Sequence, residues 1–432
     1  MNKQAFNEGL LAFIGRAPTP FHAVEAMVSL LQDEGFQILD ERNRWDLHRG
    51  GNYLVRRDGS LIAFRFGQQS LLEEGIHLAG AHTDSPCLKV KPVAERHSQG
   101  YLQLGVEVYG GALLNPWFDR DLSVAGKVSF LDETGDLNTC LVDMRRPVAT
   151  IPSLAIHLDR EANSNRSIDA QKHLPPVLLR QEGETAVSFE AYLLEYLRSE
   201  AGHPDARRVM SHELFFYDTQ PPAIIGLQDQ FIASARLDNL LSCYLITRSL
   251  LASGGTHTSV MVCNDHEEVG SGSASGAQGP FLKSVLQRLV SAESSDTEAL
   301  ERVFRNSLLF SIDNAHGIHP NYADLHDPAH GPVLNGGPVV KVNASQRYAS
   351  NTESVARFRA YCDKTGVKSQ AFVMRSDLAC GSTIGPITAA ETGIATVDIG
   401  VPTFAMHSIR ELAGADDGER LFRVVRAFFD RD

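Results

Sequence analysis

Two adjacent glutamates, Glu267 and Glu268, directly follow the apolar run at residues 259–263. A hydrolase that activates water on a metal ion needs one carboxylate to hold the metal and another to accept a proton. Neighbouring side chains of a strand point to opposite faces, so both glutamates can reach one cavity only if the chain turns immediately after the strand. Glycines that begin at Gly270 permit this turn. The pair therefore indicates metal-dependent hydrolysis.

Further histidines and carboxylates stand where strands are predicted to end or a helix to begin. They are His82, Asp84, Asp238, Asp313 and His407. Each has an ordinary structural alternative: a backbone hydrogen bond for His82, a turn for Asp84 and Asp313, a helix N-cap for Asp238, and a buried core position for His407. Asp84 is also placed to orient the His82 imidazole, as carboxylates beside metal-binding histidines do. Only their convergence on one crevice favours a catalytic role.

Charge counting predicts how many metal ions such a crevice would hold. Two divalent cations bring four positive charges, which three carboxylates and one hydroxide neutralise. The same carboxylates would exceed the charge of a single zinc ion. Paired metals about 3.5–4 Å apart are a known hydrolytic arrangement. Histidine and carboxylate ligands suit zinc, cobalt and manganese alike.

The order of predicted elements indicates an α/β fold, with a mainly parallel sheet and helices on both faces. Strands are predicted at residues 53–56, 61–65, 75–81, 259–263 and 308–312, and helices at 1–15, 21–33, 237–252 and 281–291. In such sheets ligands collect beyond the carboxyl ends of the strands, where the acidic motifs stand.

The middle of the chain has a different pattern. Residues 95–230 alternate like antiparallel strands and are interrupted by a polar loop at 159–172. At 432 residues the chain is long enough for two domains. We therefore predict a discontinuous catalytic domain at 1–94 and 231–432, with a β-rich domain inserted at 95–230.

Composition restricts the partners and the compartment. A formal net charge of -13 repels nucleic acid and anionic membranes. No apolar run reaches the roughly 18 residues that span a bilayer, and the N-terminal segment lacks a secretory pattern, so a soluble cytoplasmic protein is expected. Six scattered cysteines fit reduced thiols and show no zinc-knot spacing.

Several motifs resemble those of the aspartyl aminopeptidases, cytosolic metallopeptidases with two zinc ions, and the likeness covers nearly the whole chain. It is closest to the bacterial branch. The motifs are Ala81-His82-Thr83-Asp84-Ser85-Pro86, Ser234-Ala235-Arg236-Leu237-Asp238-Asn239, Asp265-His266-Glu267-Glu268-Val269-Gly270-Ser271, His319-Pro320-Asn321-Tyr322 and Gln346-Arg347-Tyr348-Ala349.

This resemblance implies a role for each site residue. His82 and Asp313 would hold one metal, Glu268 and His407 the other, and Asp238 would bridge the two. Glu267 would be the general base that activates a metal-bridging hydroxide, while Asp84 would support His82.

Other residues are assigned to the substrate. Tyr348 would donate a hydrogen bond to the developing oxyanion, and Lys341 would bind an acidic first side chain. The inserted domain would serve for dimerisation, and its His157 would reach a neighbouring subunit's active site. The structural alternatives are an edge-strand lysine for Lys341 and a buried strand histidine for His157.

The resemblance therefore implies an aminopeptidase that releases acidic N-terminal residues from peptides and assembles as dimers within a tetrahedral dodecamer. Residues 375–383 depart from the eukaryotic pattern around Leu378 and Ala379, so the family alone does not define how strict the acidic preference is. The alternatives are an N-acyl amino acid amidohydrolase of the same fold and a non-catalytic assembly or cargo-binding protein. The second would require loss of Glu267 or a ligand, and every expected position is filled.

Overall fold

The computed structural model describes residues 1–181 and 187–431, and these divide into two compact units. The first unit contains Met1–Asp84, Pro222–Met406 and the chain from Glu411 onward, and the second contains Ser85–Pro221 and His407–Arg410. The predicted insertion of a dimerisation domain at residues 95–230 stays a prediction.

The helices of the described chain are α1 (Lys3–Gly15), α2 (Pro20–Asp33), α3 (Leu71–Glu74), α4 (Ala170–His173), α5 (Phe189–Ser199), α6 (Leu237–Ala252), α7 (Phe281–Ser291), α8 (Ala299–Asn306), α9 (Thr352–Thr365), α10 (Ile384–Thr392) and α11 (Asp417–Asp430). The strands are β1 (Gln37–Ile38), β2 (Asn52–Arg57), β3 (Ser60–Arg65), β4 (His77–His82), β5 (Cys87–Ser98), β6 (Tyr101–Tyr109), β7 (Leu122–Asp132), β8 (Leu137–Asp143), β9 (Val177–Arg180), β10 (Ala206–Asp218), β11 (Ala223–Ile225), β12 (Phe231–Ser234), β13 (Ser259–Asn264), β14 (Leu308–Ile312), β15 (Ala315–His316), β16 (Val339–Lys341), β17 (Gln370–Phe372), β18 (Ala395–Gly400), β19 (Pro402–Phe404) and β20 (Glu411–Gly414).

Nine strands of the first unit form one sheet in the order β1-β2-β3-β13-β4-β14-β18-β16-β17. Its central strands β13, β4, β14 and β18 run parallel to one another, whereas β3 and β16 pair antiparallel with the two sides of this block. The residues of the central strands are almost all buried, as expected for a parallel sheet that is covered on both faces. The predicted α/β fold with a mainly parallel sheet is confirmed.

Alternate residues of each central strand enter two separate cores. In β13, Met261 and Cys263 pack into the core that contains α1, α2, α6, α9 and α11, and Val260 and Val262 pack into the core that contains α3, α7 and α8. This period of two is the ordinary pleat of a strand. Helices therefore cover both faces of the sheet.

The predicted strand at residues 75–81 begins two residues later than expected. Helix α3 precedes it, and Gly75 ends that helix with a φ of 70°. A Cβ at this position would lie 2.4 Å from the Asn306 backbone. Glycine is therefore needed here to end a helix, and the strand starts at His77.

A second, five-stranded sheet in the first unit has the order β11-β12-β20-β19-β15. It carries Glu411 at the start of β20 and His316 at the end of β15. No helix in the described part of the chain combines the length and the apolar composition needed to cross a bilayer.

The second unit contains a six-stranded sheet in the order β8-β7-β10-β5-β6-β9, antiparallel throughout its described pairings. Two features differ from the sequence pattern. The predicted polar loop at 159–172 runs into α4, which Asp169 caps. Helix α5 lies within the stretch predicted as strands, because Ser188 caps it and Phe189, Leu193 and Leu197 recur at helical spacing on its buried side.

Candidate metal centre

Three neighbouring parallel strands of the first unit end at the candidate site. His82 is the last residue of β4 and pairs in register with Asn264 at the end of β13. Asp313 follows β14 on the other side of β4. Strand direction and order thus place the motifs at one edge of the sheet, as predicted.

A buried histidine and two carboxylates form the centre of this edge. Ligand atoms of His82, Asp238 and Glu268 all lie within 4.8 Å of one another. The Nε2 atom of His82 is 3.5 Å from Oδ1 of Asp238 and 3.5 Å from Oδ1 of Asp313. An imidazole nitrogen and carboxylate oxygens this close together form the donor set of zinc sites. A bound cation would also relieve the repulsion among the carboxylates. The residues present therefore fit a divalent metal.

Asp238 is not the N-cap of its helix, which corrects that structural alternative. Helix α6 has Arg236 as its N-cap, and Asp238 inside it departs from helical geometry with φ -83° and ψ 103°. Its backbone N–H donates to Oε2 of Glu411 at 2.9 Å, and the Asn239 amide donates to the carbonyl oxygen of Ile312 at 2.8 Å. These two contacts fix the start of α6 against β20 and β14, and they aim the Asp238 carboxylate at His82.

The turn that the two glutamates require is present. Residues Glu267–Val269 form a short 3₁₀ turn between His266 and Gly270, whose φ values are 65° and 95°. The carboxylate of Asp84 accepts hydrogen bonds from the N–H groups of both Glu267 and Glu268, each at 3.1 Å. Asp84 therefore holds the turn that presents both glutamates.

Asp84 also contacts His82, as predicted, but chiefly through its backbone. The Nδ1 atom of His82 lies 3.0 Å from the Asp84 carbonyl oxygen and 3.5 Å from Oδ1 of its carboxylate. A backbone partner on Nδ1 directs Nε2 toward Asp238 and Asp313. One residue thus orients the imidazole and the glutamate turn together.

Crowding of like charges in a buried place shifts the ionisation of the whole cluster. Burial raises the pKa of Glu267 to about 7, with the carboxylates of Asp313 and Asp84 adding to the shift although His82 opposes it. Burial together with Asp238 raises the pKa of Glu268 well above its ordinary value. Burial disfavours the His82 cation, yet hydrogen bonds with its carboxylate neighbours outweigh this and raise the pKa of His82.

The metal-free centre is therefore expected to release protons when zinc binds. The raised pKa values of His82 and Glu268 favour their protonated forms, and a metal must displace those protons, so affinity should increase as the pH rises. Calorimetric titration of metal-free protein with zinc at pH 7, in two buffers of different ionisation enthalpy, should show release of at least about one proton per site. Heats that do not depend on the buffer would contradict this prediction.

Lys341 is neither exposed nor on an edge strand, which corrects its structural alternative. It ends β16, which lies between β18 and β17, and it is 2% exposed. Its Nζ donates to Oδ2 of Asp313 and to the Asn314 carbonyl oxygen, both at 3.2 Å. Burial by itself would raise the pKa of Asp313, but Lys341 and His82 outweigh burial and lower that pKa. A buried cation therefore stands beside the carboxylate cluster.

Tyr348 is buried next to this lysine. Its ring centre is 5.2 Å from Nζ of Lys341, and the Cys380 side chain packs against the buried cluster that contains it. Burial, followed by that thiol, raises the pKa of Tyr348, so the phenol keeps its proton. The protonated hydroxyl can serve as a hydrogen-bond donor.

The two remaining predicted residues, His157 and His407, belong to the second unit. His157 is exposed in a turn between Ile156 and Leu158, which are themselves 49% and 75% exposed, so the alternative of a buried strand histidine is wrong. The Nδ1 atom of His407 lies 3.1 Å from the Gly111 carbonyl oxygen. The roles of both histidines stay predictions.

Sequence reasoning missed Glu411 and Asp398. Glu411 is 2% exposed and holds the backbone of Asp238, and Asp398 is fully buried in β18. Neither follows a recognisable motif. A carboxylate inside an apolar strand, as in residues 395–400, was the available signal for Asp398.

A mainly parallel α/β sheet with a buried histidine and carboxylates near its strand ends, and a glutamate beside them, is the arrangement expected of a metal-dependent hydrolase. Residues 13–429 match the model of the family described as aminopeptidase I zinc metalloprotease (M18). The chain belongs to this family and is a metal-dependent aminopeptidase.

Individual relatives agree. The chain is 55% identical over 424 residues to the protein named Probable M18 family aminopeptidase 2 of Ectopseudomonas mendocina, covering 98% of this chain and 97% of that protein. It superposes on a chain of the cryo-EM structure of the Ape4 and Nbr1 complex with a TM-score of 0.95 and 35% identity, covering 99% of this chain and 86% of that one. The S. cerevisiae mApe1 dodecamer gives a TM-score of 0.85 with 28% identity, covering 99% and 98%.

Proposed function

We propose that this aminopeptidase uses two zinc ions per subunit and prefers peptides with an acidic first residue. The observation that carries the proposal is the convergence of His82, Asp238 and Glu268 within 4.8 Å, with Glu267 on the same turn as Glu268. The family resemblance extends the ligand set to Asp313 and His407. Zinc is favoured by the description of the family, and cobalt and manganese are the alternatives to compare.

The chain's residues divide the catalytic work. Zinc, when bound, makes water more acidic and polarises the scissile carbonyl. Glu267 accepts the proton of the attacking water and passes it to the leaving amine. The Asp84 carboxylate holds Glu267 in place by accepting a hydrogen bond from its backbone N–H. Tyr348, whose hydroxyl stays protonated, donates a hydrogen bond to the oxyanion.

Activity on two arylamides tests this function. Zinc-loaded protein should hydrolyse aspartyl arylamide faster than leucyl arylamide, and a chelator should stop both reactions until zinc is restored. Acetylation of the substrate's amino group should stop turnover. Equal rates for the two arylamides would contradict the acidic preference. Hydrolysis of only the acetylated substrate would favour the amidohydrolase alternative. The absence of turnover with any metal would favour the non-catalytic assembly or cargo-binding protein.

Lys341 is the proposed partner of the acidic side chain, because it is a buried cation beside the carboxylate cluster. Lys341→Met should lower kcat/KM for aspartyl arylamide at least about tenfold more than for leucyl arylamide, since hydrogen bonds to charged groups are worth roughly 1.5–3 kcal/mol. Lys364→Met, on the exposed surface of α9, is the matched control. An unchanged ratio of the two rates would assign acidic selectivity to another residue.

We also propose a homo-oligomer of dimers arranged as a tetrahedral dodecamer, with residues 95–230 as the dimerisation domain. The mApe1 relative is a dodecamer. The exposed residues Leu154, Ile156 and Leu158 around His157 offer apolar area for a subunit contact. Under this proposal His157 completes the active site of a neighbouring subunit.

His157→Ala should therefore lower turnover about 10²-fold or more, as expected for loss of a group that acts on the transition state. Its zinc content and its sedimentation as an oligomer should match wild type. His173→Ala, which replaces an exposed histidine in α4, is the control. An unchanged rate in an intact oligomer would contradict the shared site.

A cytoplasmic location completes the proposal. The six cysteines lie within the described residues and form no disulfide there, as expected for a protein kept in a reducing compartment. Fractionation of cells that express the protein should recover it with cytoplasmic markers.

A further inference from the structure

The buried carboxylate of Asp398 takes no part in the steps described above. Asp398 lies in β18, fully buried and in register with Ser311 of β14. Its Oδ1 accepts hydrogen bonds from Ser311 Oγ at 2.7 Å and from Thr383 Oγ1 at 2.6 Å, and its Oδ2 accepts one from the Ala349 N–H at 2.6 Å. A buried charge held by donors from three separate segments fixes those segments relative to one another.

The three donors lead to three parts of the candidate site. Ser311 stands two residues before Asp313 in the chain, and Ala349 directly follows Tyr348. The third, Thr383, ends the 375–383 segment and precedes α10. One carboxylate thus connects a proposed metal ligand, the proposed oxyanion donor and the segment that departs from the eukaryotic pattern.

Contacts between the last two parts tie them to each other. The Cys380 side chain packs against the small buried cluster that contains Tyr348. Arg347 Nε donates to the Cys380 carbonyl oxygen, and Ser382 Oγ donates to the Arg347 carbonyl oxygen, both at 3.3 Å. The 375–383 segment therefore packs against the chain at Arg347 and Tyr348.

The N-terminus of α10 is built to approach the Asp398 carboxylate. Thr383 caps this helix by accepting a hydrogen bond from the Gly385 N–H at 3.3 Å, while its hydroxyl donates to Asp398. A Cβ on Gly385 would lie 2.4 Å from both carboxylate oxygens, so only glycine allows the approach. The positive end of the helix dipole then faces a negative charge.

We propose that Asp398 is a positioning residue of the aminopeptidase reaction: it holds Tyr348 and the 375–383 segment in place beside Asp313 and so shapes the pocket for the first substrate residue. This inference rests on the proposed function, in which Lys341 and Tyr348 meet the substrate. The Lys341 ammonium contacts Asp313 on one side and faces the Tyr348 ring on the other, so a shift of Tyr348 changes the surroundings of the substrate-binding cation.

The test alters a donor and leaves the acceptor in place, because replacing Asp398 by alanine would leave buried donors without an acceptor and destabilise the sheet. Thr383→Val removes the hydroxyl at nearly constant volume, and Thr383→Ser keeps it. Thr19→Val is the matched control, since Thr19 caps α2 in the same way and lies outside the proposed machinery. Zinc content and thermal unfolding are measured for all three variants.

Thr383→Val should raise KM for aspartyl arylamide roughly tenfold or more, because the hydrogen bond that anchors the 375–383 segment to Asp398 is lost. The value of kcat should fall as well, because Tyr348 is the proposed oxyanion donor. The variant should weaken the binding of aspartyl hydroxamate, measured calorimetrically on zinc-loaded protein, by a factor similar to that for KM. Thr383→Ser should restore all three values, and Thr19→Val should match wild type in all three.

Two results would overturn the proposal: unchanged KM and hydroxamate affinity in Thr383→Val, or changes that Thr19→Val shows equally. The wild-type arylamide rates test the proposed function separately, since they do not depend on any variant. If wild type hydrolysed neither substrate, hydroxamate binding would still decide whether Thr383 and Asp398 position the pocket.

Discussion

Glu267→Gln is expected to lower the hydrolysis of aspartyl arylamide by about 10²–10⁴-fold, the usual contribution of a general base. The amide cannot accept the proton of water at neutral pH, yet it matches the carboxylate in shape. Glu267 is the carboxylate whose pKa burial brings to about 7 in the metal-free chain. Bound zinc adds positive charge and would lower this pKa, so the base is ionised at working pH.

The measurement is the steady-state rate of purified, zinc-loaded protein, with zinc quantified in the same samples. Zinc content should remain at the wild-type level, because Glu268 and not Glu267 belongs to the candidate ligand cluster of His82, Asp238 and Glu268. Glu301→Gln, on the exposed side of α8, controls for loss of a carboxylate. A variant that retains at least about half of the wild-type rate would exclude Glu267 as the base.

Asp238→Asn should abolish activity by a different route, loss of metal. Its carboxylate lies within 4.8 Å of the ligand atoms of both His82 and Glu268, and the proposed function makes it a ligand of both zinc ions. A neutral amide removes a negative charge from the cluster and offers a weaker ligand. We expect zinc affinity to fall by about 10²-fold or more, beyond the effect of mutating a supporting residue.

Zinc content after dialysis measures the loss of zinc affinity, and the rate at saturating zinc measures the loss of activity. Asp363→Asn, exposed near the end of α9, is the matched control. The variant should fold like wild type, because the contact of residue 238 with Glu411 uses the backbone N–H. Full zinc retention together with full activity would remove Asp238 from the metal centre.

The local sequence predicted the central elements well because their patterns are strong. Helices α6 and α7 and strand β14 have the predicted bounds, since apolar periodicity and flanking polar residues agree over each length. Predictions were wrong where a short-range competitor acted, as at Gly75, which ends a helix, and at α5, whose helical spacing lies among strands.

The candidate site was predictable as a set of residue types but not as an arrangement. Glu267 and Glu268 signal a turn because they are adjacent and followed by glycine. That Asp84 holds this turn through two backbone N–H groups requires β4 and β13 to be neighbours, which depends on strand order. Lys341 likewise looks like an ordinary strand lysine until Asp313 is placed against it.

The sequence by itself determined the α/β class and the family, and it supplied the candidate metal-binding residues, because these depend on periodicity and on motifs contiguous in the chain. Only the tertiary structure showed that Glu411 holds Asp238, across 173 residues of chain, and that Asp398 joins segments that begin far apart. Hydrogen bonds between distant segments leave no local pattern. They are decided by which strands become neighbours, and that choice is made by burial of the whole sheet.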